Sequence, residues 1–505
     1  MTPASRMFCR GLILLLICQG TVAAQSTPDK QQPVKPADES SKGSPTATPA
    51  DRAASSGAIR AELVRSLQTL PVAEAQKSLE SAITASPEDL PLQSLRTLLA
   101  SRLMMEGDND GAIQQLETAA DTLLSHADQP ANLTSLTFIL ESLRTYSQRT
   151  NQPQRLTPKL TAALERVRSQ PRDAAEGEFL MPLARLLSLQ AMVLNSDGQV
   201  AEATALLDEE LNALQPLSEQ PAIGERAILA SVRLLQTRRQ LQGNTKTPAE
   251  NSSTELDELF AKGLASHPKS ALIAAEYVRF RTAAAGVLAR EEPEAAQRML
   301  NDLRSRFDST ELSETPAVKA AIAMIKPMER RIETALLHRE MLGKPAPAID
   351  VAAWANGPAL DLATLKGKVI LLDFWAVWCG PCIATFPHLK QLHAEYHDSG
   401  LEIIGVTRQY GYQWNSETQR AAKATSEVTL DDELSMLNQF MQHHELPHRS
   451  VVTPKESQMM QQFGVSGIPH AVLIDKQGNV RMIKVGSGDD NARALHDMAK
   501  QLLAE

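Results

Sequence analysis

Two cysteines separated by two residues, Cys379 and Cys382, directly follow an apolar run at residues 369–375. Such a pair can close into a small disulfide and open again, which moves two electrons to or from a partner. The apolar run predicts a buried strand, and the pattern after the cysteines predicts a helix. The motif therefore requires a fold that holds a cysteine pair where a strand leads into a helix.

The other two cysteines, Cys9 and Cys18, lie in an N-terminal leader. Arginines precede a short apolar core, and small residues precede Gln25, which is the layout of a signal peptide at residues 1–24. The core is shorter than the about 20 residues that span a bilayer. The leader predicts export, to a bacterial periplasm or cell envelope. Membrane association through an acylated Cys18 is the alternative, although Ile17 stands where a small residue is wanted.

Without the leader, Cys379 and Cys382 are the remaining cysteines. Exported proteins that use disulfides for stability spread several pairs across the fold. A single pair at this close spacing favours a catalytic role over a static disulfide. Zinc binding would need a second Cys/His pair at ligand spacing. Because adjacent His443 and His444 point in different directions along a predicted helix, we expect no metal site.

Composition narrows the remaining possibilities. The formal net charge is -9, and no Lys/Arg cluster with interleaved aromatics is present, so we expect no nucleic-acid binding. Residues 25–57 are rich in Ser, Thr, Pro, Ala, Gln and Lys and poor in bulky apolar residues. Such a segment cannot bury enough surface to offset its ordering entropy, which predicts a disordered linker.

Residues 58–342 carry apolar residues at three- and four-residue spacing, which predicts a helical domain. Four stretches place an alanine four residues before a leucine on one helix face. These pairs are Ala75 and Leu79, Ala112 and Leu116, Ala203 and Leu207, and Ala296 and Leu300. Small residues that let paired helices pack closely are typical of tetratricopeptide (TPR) repeats. The spacing is irregular, so a TPR-like solenoid and an unspecified helical bundle both stay open. The region holds no nucleophile–base pair or phosphate loop, which favours a module that binds or positions a protein partner.

The helical pattern ends near Leu342, where a glycine and two prolines precede strand-like segments. Strands and helices then alternate, with a polar insert at residues 408–428. The last two strands are joined by a turn-rich connection that suits a hairpin. The predicted strands are residues 369–375, 401–406, 450–452, 471–474 and 480–485; the predicted helices begin at Cys379 and cover residues 430–444, 459–463 and 491–503. This order predicts a mixed sheet covered on both faces, in a domain of residues 343–505.

Residues 373–382, with Pro387 and the distal Ile468 and Pro469, resemble the thioredoxin superfamily. More narrowly, residues 343–347 and 365–369, with the insert, resemble exported TlpA/ResA-like oxidoreductases. The resemblance covers about a third of the chain. It implies a multidomain protein, in which an all-α, TPR-like helical repeat is followed by an α/β thioredoxin-like fold.

The chemistry of the two cysteines can be argued from their places. Cys379 is expected at the exposed start of a helix, where free N–H groups favour a thiolate, so it is the predicted nucleophile. Cys382, one turn later and less exposed, would resolve the mixed disulfide. Pro381 has no N–H to leave unpaired in the first turn, and Gly380 lets a partner backbone approach. Pro387 is expected to kink the helix.

Asp373 lies in the apolar strand, where an unpaired carboxylate is costly and a protonated acid can exchange protons. By resemblance to the buried acid of thioredoxin, it would relay a proton to or from Cys382. A solvent-facing Asp at a strand end is the alternative. Many TlpA/ResA-like proteins carry Asn at this position and an acid three residues after the second cysteine, where this chain has Thr385.

Ile468 and Pro469 match the cis-proline that faces the cysteines in the superfamily. A cis bond there leaves the backbone of Ile468 free to bind an extended substrate strand. His470 follows directly, so it either tunes the thiolate or is a surface residue without a role. Trp378 is expected at the rim of the site, where it would contact substrate, and Trp375 in the core.

These features predict a thiol–disulfide oxidoreductase that acts on protein thiol and disulfide clients. The Gly-Pro pair between the cysteines resembles reducing thioredoxins, which favours a reductase. No flavin or nicotinamide motif is visible, so we expect no cofactor and a membrane electron carrier as the source of electrons. The alternatives are a disulfide oxidase or isomerase, and a helical scaffold with an incidental redox domain.

Overall fold

The computed structural model describes residues 49–241, 254–308 and 310–505. The chain forms two compact units that divide between Tyr277 and Val278. The predicted signal peptide, with Cys9 and Cys18, and residues 25–48 of the predicted linker lie outside the described residues. The linker was predicted to extend to Gly57, but helix α1 already begins at Pro49. Proline is well suited to a first helical position, and the alanines that follow favour a helix.

The described part of the first unit is helical. Local signals set the helix ends: α4 stops at Gly107, which takes a left-handed φ of 90°, and the Asp108 side chain then caps α5 by accepting the N–H of Gly111 at 2.9 Å. The helices are α1 (Pro49–Thr69), α2 (Val72–Ala85), α3 (Pro91–Ser94), α4 (Arg96–Glu106), α5 (Asn109–Leu124), α6 (Pro130–Arg149), α7 (Thr157–Arg168), α8 (Leu180–Ser196), α9 (Val200–Leu214), α10 (Gly224–Leu241), α11 (Thr254–Ser266) and α12 (Ala271–Leu288), in which the division between the units lies.

The alanines that suggested a repeat lie at helix contacts. Ala75, Ala112, Ala203 and Ala296 and their partner leucines are all fully buried. A small side chain at such a place lets a neighbouring helix approach closely. Helices next to each other in the chain pack together, as α4, α5 and α6 do. The region is thus helical as predicted, and its TPR-like periodicity stays a prediction.

After the C-terminal part of α12, the second unit continues with three helices, α13 (Pro293–Phe307), α14 (Pro316–Ile322) and α15 (Ile325–Met341). Ion pairs of Arg304 with Glu329 and of Arg339 with Glu294 connect α13 to α15. Met341, at the end of α15, packs in the same core cluster as the following sheet. The compact unit therefore starts before the predicted domain boundary at Gly343, because α15 covers one face of that sheet.

The sheet has six strands in the order β1-β6-β3-β2-β7-β8. Strand β2 runs parallel to β3 and antiparallel to β7; β3 and β6 are parallel, and β1 and β8 are antiparallel edge strands. A separate hairpin, β4–β5, lies in the insert. The strands are β1 (Ala353–Ala355), β2 (Val369–Phe374), β3 (Leu401–Arg408), β4 (Tyr412–Asn415), β5 (Arg420–Lys423), β6 (Arg449–Thr453), β7 (His470–Ile474) and β8 (Val480–Val485).

Helices cover both faces of the sheet, as predicted. Because side chains alternate along a strand, Leu371 of β2 packs toward α17, α18 and α20, whereas Leu372 and Phe374 pack toward α15 and α19. The helices of this part are α16 (Gly380–Ile383), α17 (Phe386–Tyr396), α18 (Leu430–His443), α19 (Met459–Gln462) and α20 (Asp489–Ala504). This arrangement is the thioredoxin-like α/β fold. Among the described residues, no helix has both the length and the apolar character that crossing a membrane requires.

Candidate redox site

The two cysteines form a disulfide at the junction between β2 and α16. Cys379 is the N-cap residue of α16, and its Sγ accepts the N–H of Cys382 at 3.2 Å. The helix then breaks, since α17 starts at Phe386 with Pro387 in its first turn. The predicted kink at this proline is therefore a break between two helices, as a proline without an N–H favours.

The two sulfur-bearing residues differ in exposure. Cys382 is completely buried, whereas Cys379 retains 4% of its surface. Cys379 was expected to be exposed, but the apolar side chains around the disulfide enclose most of it. A Cβ at neighbouring Gly380 would meet no atom of the described chain within 4 Å. A partner can therefore approach the disulfide from the side of Gly380.

Asp373 lies in β2 opposite Ala471 of β7 and is 3% exposed, so the solvent-facing alternative is wrong. Its Oδ2 has no hydrogen-bond partner among the described residues. Burial raises the pKa of this carboxyl from its ordinary 3.8 to about 7. The carboxyl borders a narrow cleft that is also lined by Thr385 and Lys484. Since Thr385 Oγ1 donates to the Cys382 carbonyl at 2.7 Å, the cleft extends from the acid to the segment after the cysteines.

The peptide bond between Ile468 and Pro469 is cis, as predicted. Pro469 lines the cleft beside Asp373, and its carbonyl accepts the N–H of Gly486 at 2.8 Å. Ile468 is half-buried and contacts the core clusters on both faces of the sheet. The proline and the acid are therefore brought together around one end of the sheet.

His470 does not take either of its expected places. It is completely buried and packs against Phe374 and His338, with ring centroids 5.5 and 5.2 Å away. His470 is paired with Phe374 across β7 and β2, so both side chains point to the face opposite Asp373. Burial lowers the pKa of His470 to about 3. His470 is therefore a neutral imidazole in the core and not a surface group. Its ring contacts are with Phe374 and His338, and they do not include the cysteines.

An aromatic rim borders the disulfide. Trp378, directly before Cys379, is half exposed, whereas Trp375 is buried and donates from its ring to Ser450 at 3.1 Å. The ring of Tyr410, in the insert, meets Trp378 edge-to-face at 5.5 Å. The guanidinium of Arg408 lies 5.0 Å from the centre of the Tyr410 ring. The insert therefore extends the surface beside the cysteines.

A buried carboxylate holds the start of this insert. Glu433 of α18 is 1% exposed, and its two oxygens accept the N–H groups of Tyr410 and Gly411 at 2.6 and 2.7 Å. Such bonds to a charged acceptor are stronger than neutral ones. The sequence did not predict the contacts of Glu433 with Tyr410 and Gly411, which lie 23 and 22 residues away along the chain. The alternation of aromatic and small or polar residues from Tyr410 to Asn415 was the available signal for a strand.

We expect Glu433→Gln to loosen the insert. The amide would present a donor where the carboxylate accepts, so one backbone N–H would lose its partner, at about 1–3 kcal/mol. Urea unfolding should show this loss, and the fluorescence of Trp378 should change in the folded state. Asp431→Asn, an exposed change on the same helix, is the control; equal stability of the two variants would contradict the role of Glu433.

The C-terminal third of the chain is similar to known proteins. The Redoxin family model matches residues 341–502. The thiol-disulfide oxidoreductase ResA of Bacillus thuringiensis (strain Al Hakam) is 31% identical over 143 residues, which are 28% of this chain and 69% of the relative. ResA of Bacillus thuringiensis subsp. konkukian is 28% identical over 161 residues, 32% of this chain and 78% of the relative. A solved structure of a thiol:disulfide interchange protein DsbE from Chlorobium tepidum is 27% identical, covers 32% of this chain and 99% of its own, and gives a TM-score of 0.25.

The sheet, the cysteine pair, the Redoxin match and the ResA relatives define the C-terminal part as a thioredoxin-like thiol–disulfide oxidoreductase. Within that class, the chain belongs to the TlpA/ResA-like family. The matched residues begin at Met341, so the family accounts for about a third of the chain.

Proposed function

We propose that this protein is an exported reductase that opens disulfides of other envelope proteins through a Cys379/Cys382 dithiol. The observation that carries the proposal is the Cys379–Cys382 disulfide next to the half-exposed Trp378, in a core cluster against which Ile468 of the cis peptide bond packs. Export rests on the leader at residues 1–24. The relatives match one third of the chain and do not cover the helical region. Since that region carries no nucleophile–base pair or phosphate loop, we propose that it holds or selects a protein partner.

Two exchange steps account for the reaction. The Cys379 thiolate attacks one sulfur of a client disulfide; the client S–S bond breaks, a mixed disulfide forms, and the other client sulfur leaves as a thiolate that takes a proton from solvent. Cys382 then loses its proton and attacks the Cys379 sulfur, which closes the Cys379–Cys382 disulfide and releases the second client thiolate. The client gains two electrons and the protein loses them. A membrane electron carrier would return the two electrons and open the disulfide again.

Neighbouring groups support each step. The N–H of Cys382, which donates to Cys379 Sγ, stabilises negative charge on that sulfur. Cys382 is fully buried and has to lose a proton without direct solvent contact. Asp373, with a pKa raised by burial to about 7, can accept that proton near neutral pH. The cleft beside Thr385 and Lys484 gives the acid a route to solvent.

The surface around the disulfide suits an extended client strand. Trp378 and Val485 are apolar side chains that stay about half exposed, and open space at Gly380 admits a backbone. Pro381, in the first turn of α16, fixes the backbone between the two cysteines. The backbone of Ile468, next to the cis-proline, would pair with the client. His470 is buried behind this surface and is proposed to support it rather than to contact the client.

The direction of electron flow is the measurable part of the proposal. Because the Gly-Pro pair resembles reducing thioredoxins, we expect a potential nearer ~-270 mV than the ~-120 mV of strong oxidants. Equilibration of the full chain with glutathione or dithiothreitol buffers, followed by thiol alkylation, measures it. A value at the oxidising end would make the protein a disulfide oxidase or isomerase.

A further inference from the structure

His338 connects a helix outside the family match to the segment that carries the cis-proline. It lies in α15, three residues before the matched region begins at Met341. Its Nε2 is 2.9 Å from the carbonyl oxygen of Gly464. Because a carbonyl can only accept, Nε2 carries the hydrogen and donates it. The contact is close: a Cβ at Gly464, where φ is +61°, would lie 2.7 Å from this nitrogen.

The same imidazole also touches the residue after the cis-proline. The rings of His338 and His470 meet edge-to-face with centroids 5.2 Å apart. Residues 464–469 form the loop between Phe463, the C-cap residue of α19, and β7, so His338 contacts the first residue of this loop and the residue that directly follows its last. The loop ends in Ile468 and Pro469, which the proposed function assigns to client binding.

The imidazole of His470 is held by packing against neighbouring rings and not by hydrogen bonds. Neither of its ring nitrogens has a hydrogen-bond partner among the described residues, and its neighbours are the rings of His338 and Phe374. Burial lowers the pKa of both imidazoles, so both are neutral near pH 7. Loss of the His338 ring would therefore remove one wall of the His470 site as well as the bond to Gly464.

We propose that His338 is a positioning residue that fixes the cis-proline loop, residues 464–469, for client binding and couples α15 to the redox site. This rests on the proposed function, because it needs the loop to bind the client. Arg304–Glu329 and Arg339–Glu294 connect α15 to α13. A displacement of these helices would thus reach the loop through His338, without a change at the cysteines.

The test compares His338→Leu with His338→Gln in the full chain. Leucine keeps an apolar side chain but removes the donor, whereas the glutamine amide places an N–H near the position of Nε2. With insulin as the protein disulfide and dithiothreitol as electron source, we expect His338→Leu to raise KM about fivefold, the effect of one lost hydrogen bond. Glutamine should return KM to within about twofold, and kcat should stay unchanged. Reduction of a small aromatic disulfide, which does not need the loop, should be equal in all variants.

Exposed Glu340, on the same helix, provides the control Glu340→Gln, which should leave KM unchanged. Amide hydrogen exchange of residues 464–468 is the second readout and does not depend on turnover; it should be faster in His338→Leu than in the wild type and in His338→Gln. Equal KM and equal exchange in the leucine and glutamine variants would overturn the proposal. Absence of Cys379-dependent turnover in the wild type would overturn the proposed function instead, and the exchange comparison would still decide the role of His338.

Discussion

Replacement of Cys379 by serine is expected to reduce catalysed insulin reduction to the rate of dithiothreitol alone. A serine hydroxyl is not ionised at neutral pH and cannot attack a disulfide sulfur. Loss of an essential nucleophile usually lowers turnover by at least about a thousandfold. The fold should persist, because the change replaces one small side chain at the N-cap of α16, a position that serine favours.

Cys382→Ser is the matched variant and should behave differently. Cys379 can still attack a client, but no thiol is left to release it, so a mixed disulfide should accumulate. Non-reducing gels of the variant with a client should show a complex that dithiothreitol dissolves, and Cys379→Ser should form none. Equal rates for the wild type and Cys379→Ser would mean that no turnover depends on the cysteine, which is the result expected of a helical scaffold with an incidental redox domain.

Asp373→Asn is expected to remove one component of the pH dependence of stability of the oxidised protein, the loss of stability as pH rises from 5 to 8. Buried His470 and His448, whose pKa values burial lowers to about 3 and about 4, act in the opposite sense, so the effect of Asp373 is measured as the difference between the wild type and Asp373→Asn. In the folded state burial raises the pKa of this acid from its ordinary 3.8 to about 7, so between these values the folded chain binds more protons than the unfolded chain. The free energy of unfolding therefore falls as pH rises. Each pKa unit is about 1.4 kcal/mol, so the full penalty above pH 7 is about 4 kcal/mol. More than half of this penalty develops between pH 5 and pH 8.

Urea unfolding at pH 5 and at pH 8 measures this effect. Between pH 5 and pH 8 the wild type should lose about 2–3 kcal/mol more stability than Asp373→Asn loses, and this difference is the contribution of Asp373. Asp398→Asn, an exposed change in the same domain, should lose as much stability as the wild type. An equal loss in the wild type and in Asp373→Asn would show that the acid is not buried and neutral, and would remove its proposed role in proton exchange with Cys382.

Most of the thioredoxin-like domain could be predicted because its elements carry strong local patterns. The run at residues 369–375 became β2, and the predicted helix at residues 430–444 became α18 with nearly the same ends. Burial of Asp373 also followed from its place in the apolar run. Strand β1 was missed because three residues, Ala353–Ala355, are too few to show a period. The hairpin β4–β5 was missed because its strands are short and largely exposed, so the brief alternation from Tyr410 to Asn415 was taken as part of a polar insert.

The sequence by itself determined the order of the main strands and helices and the cysteine pair, because each depends on residues that are close along the chain, whereas the cis-proline was implied by the resemblance to the thioredoxin superfamily. Tertiary structure alone decided the rest. Register between β7 and β2 turned His470 to the face away from Asp373, and packing of α15 on that face brought His338 to Gly464, 126 residues later in the chain. Contacts across such distances depend on how separate elements pack, and no local period or propensity encodes that packing.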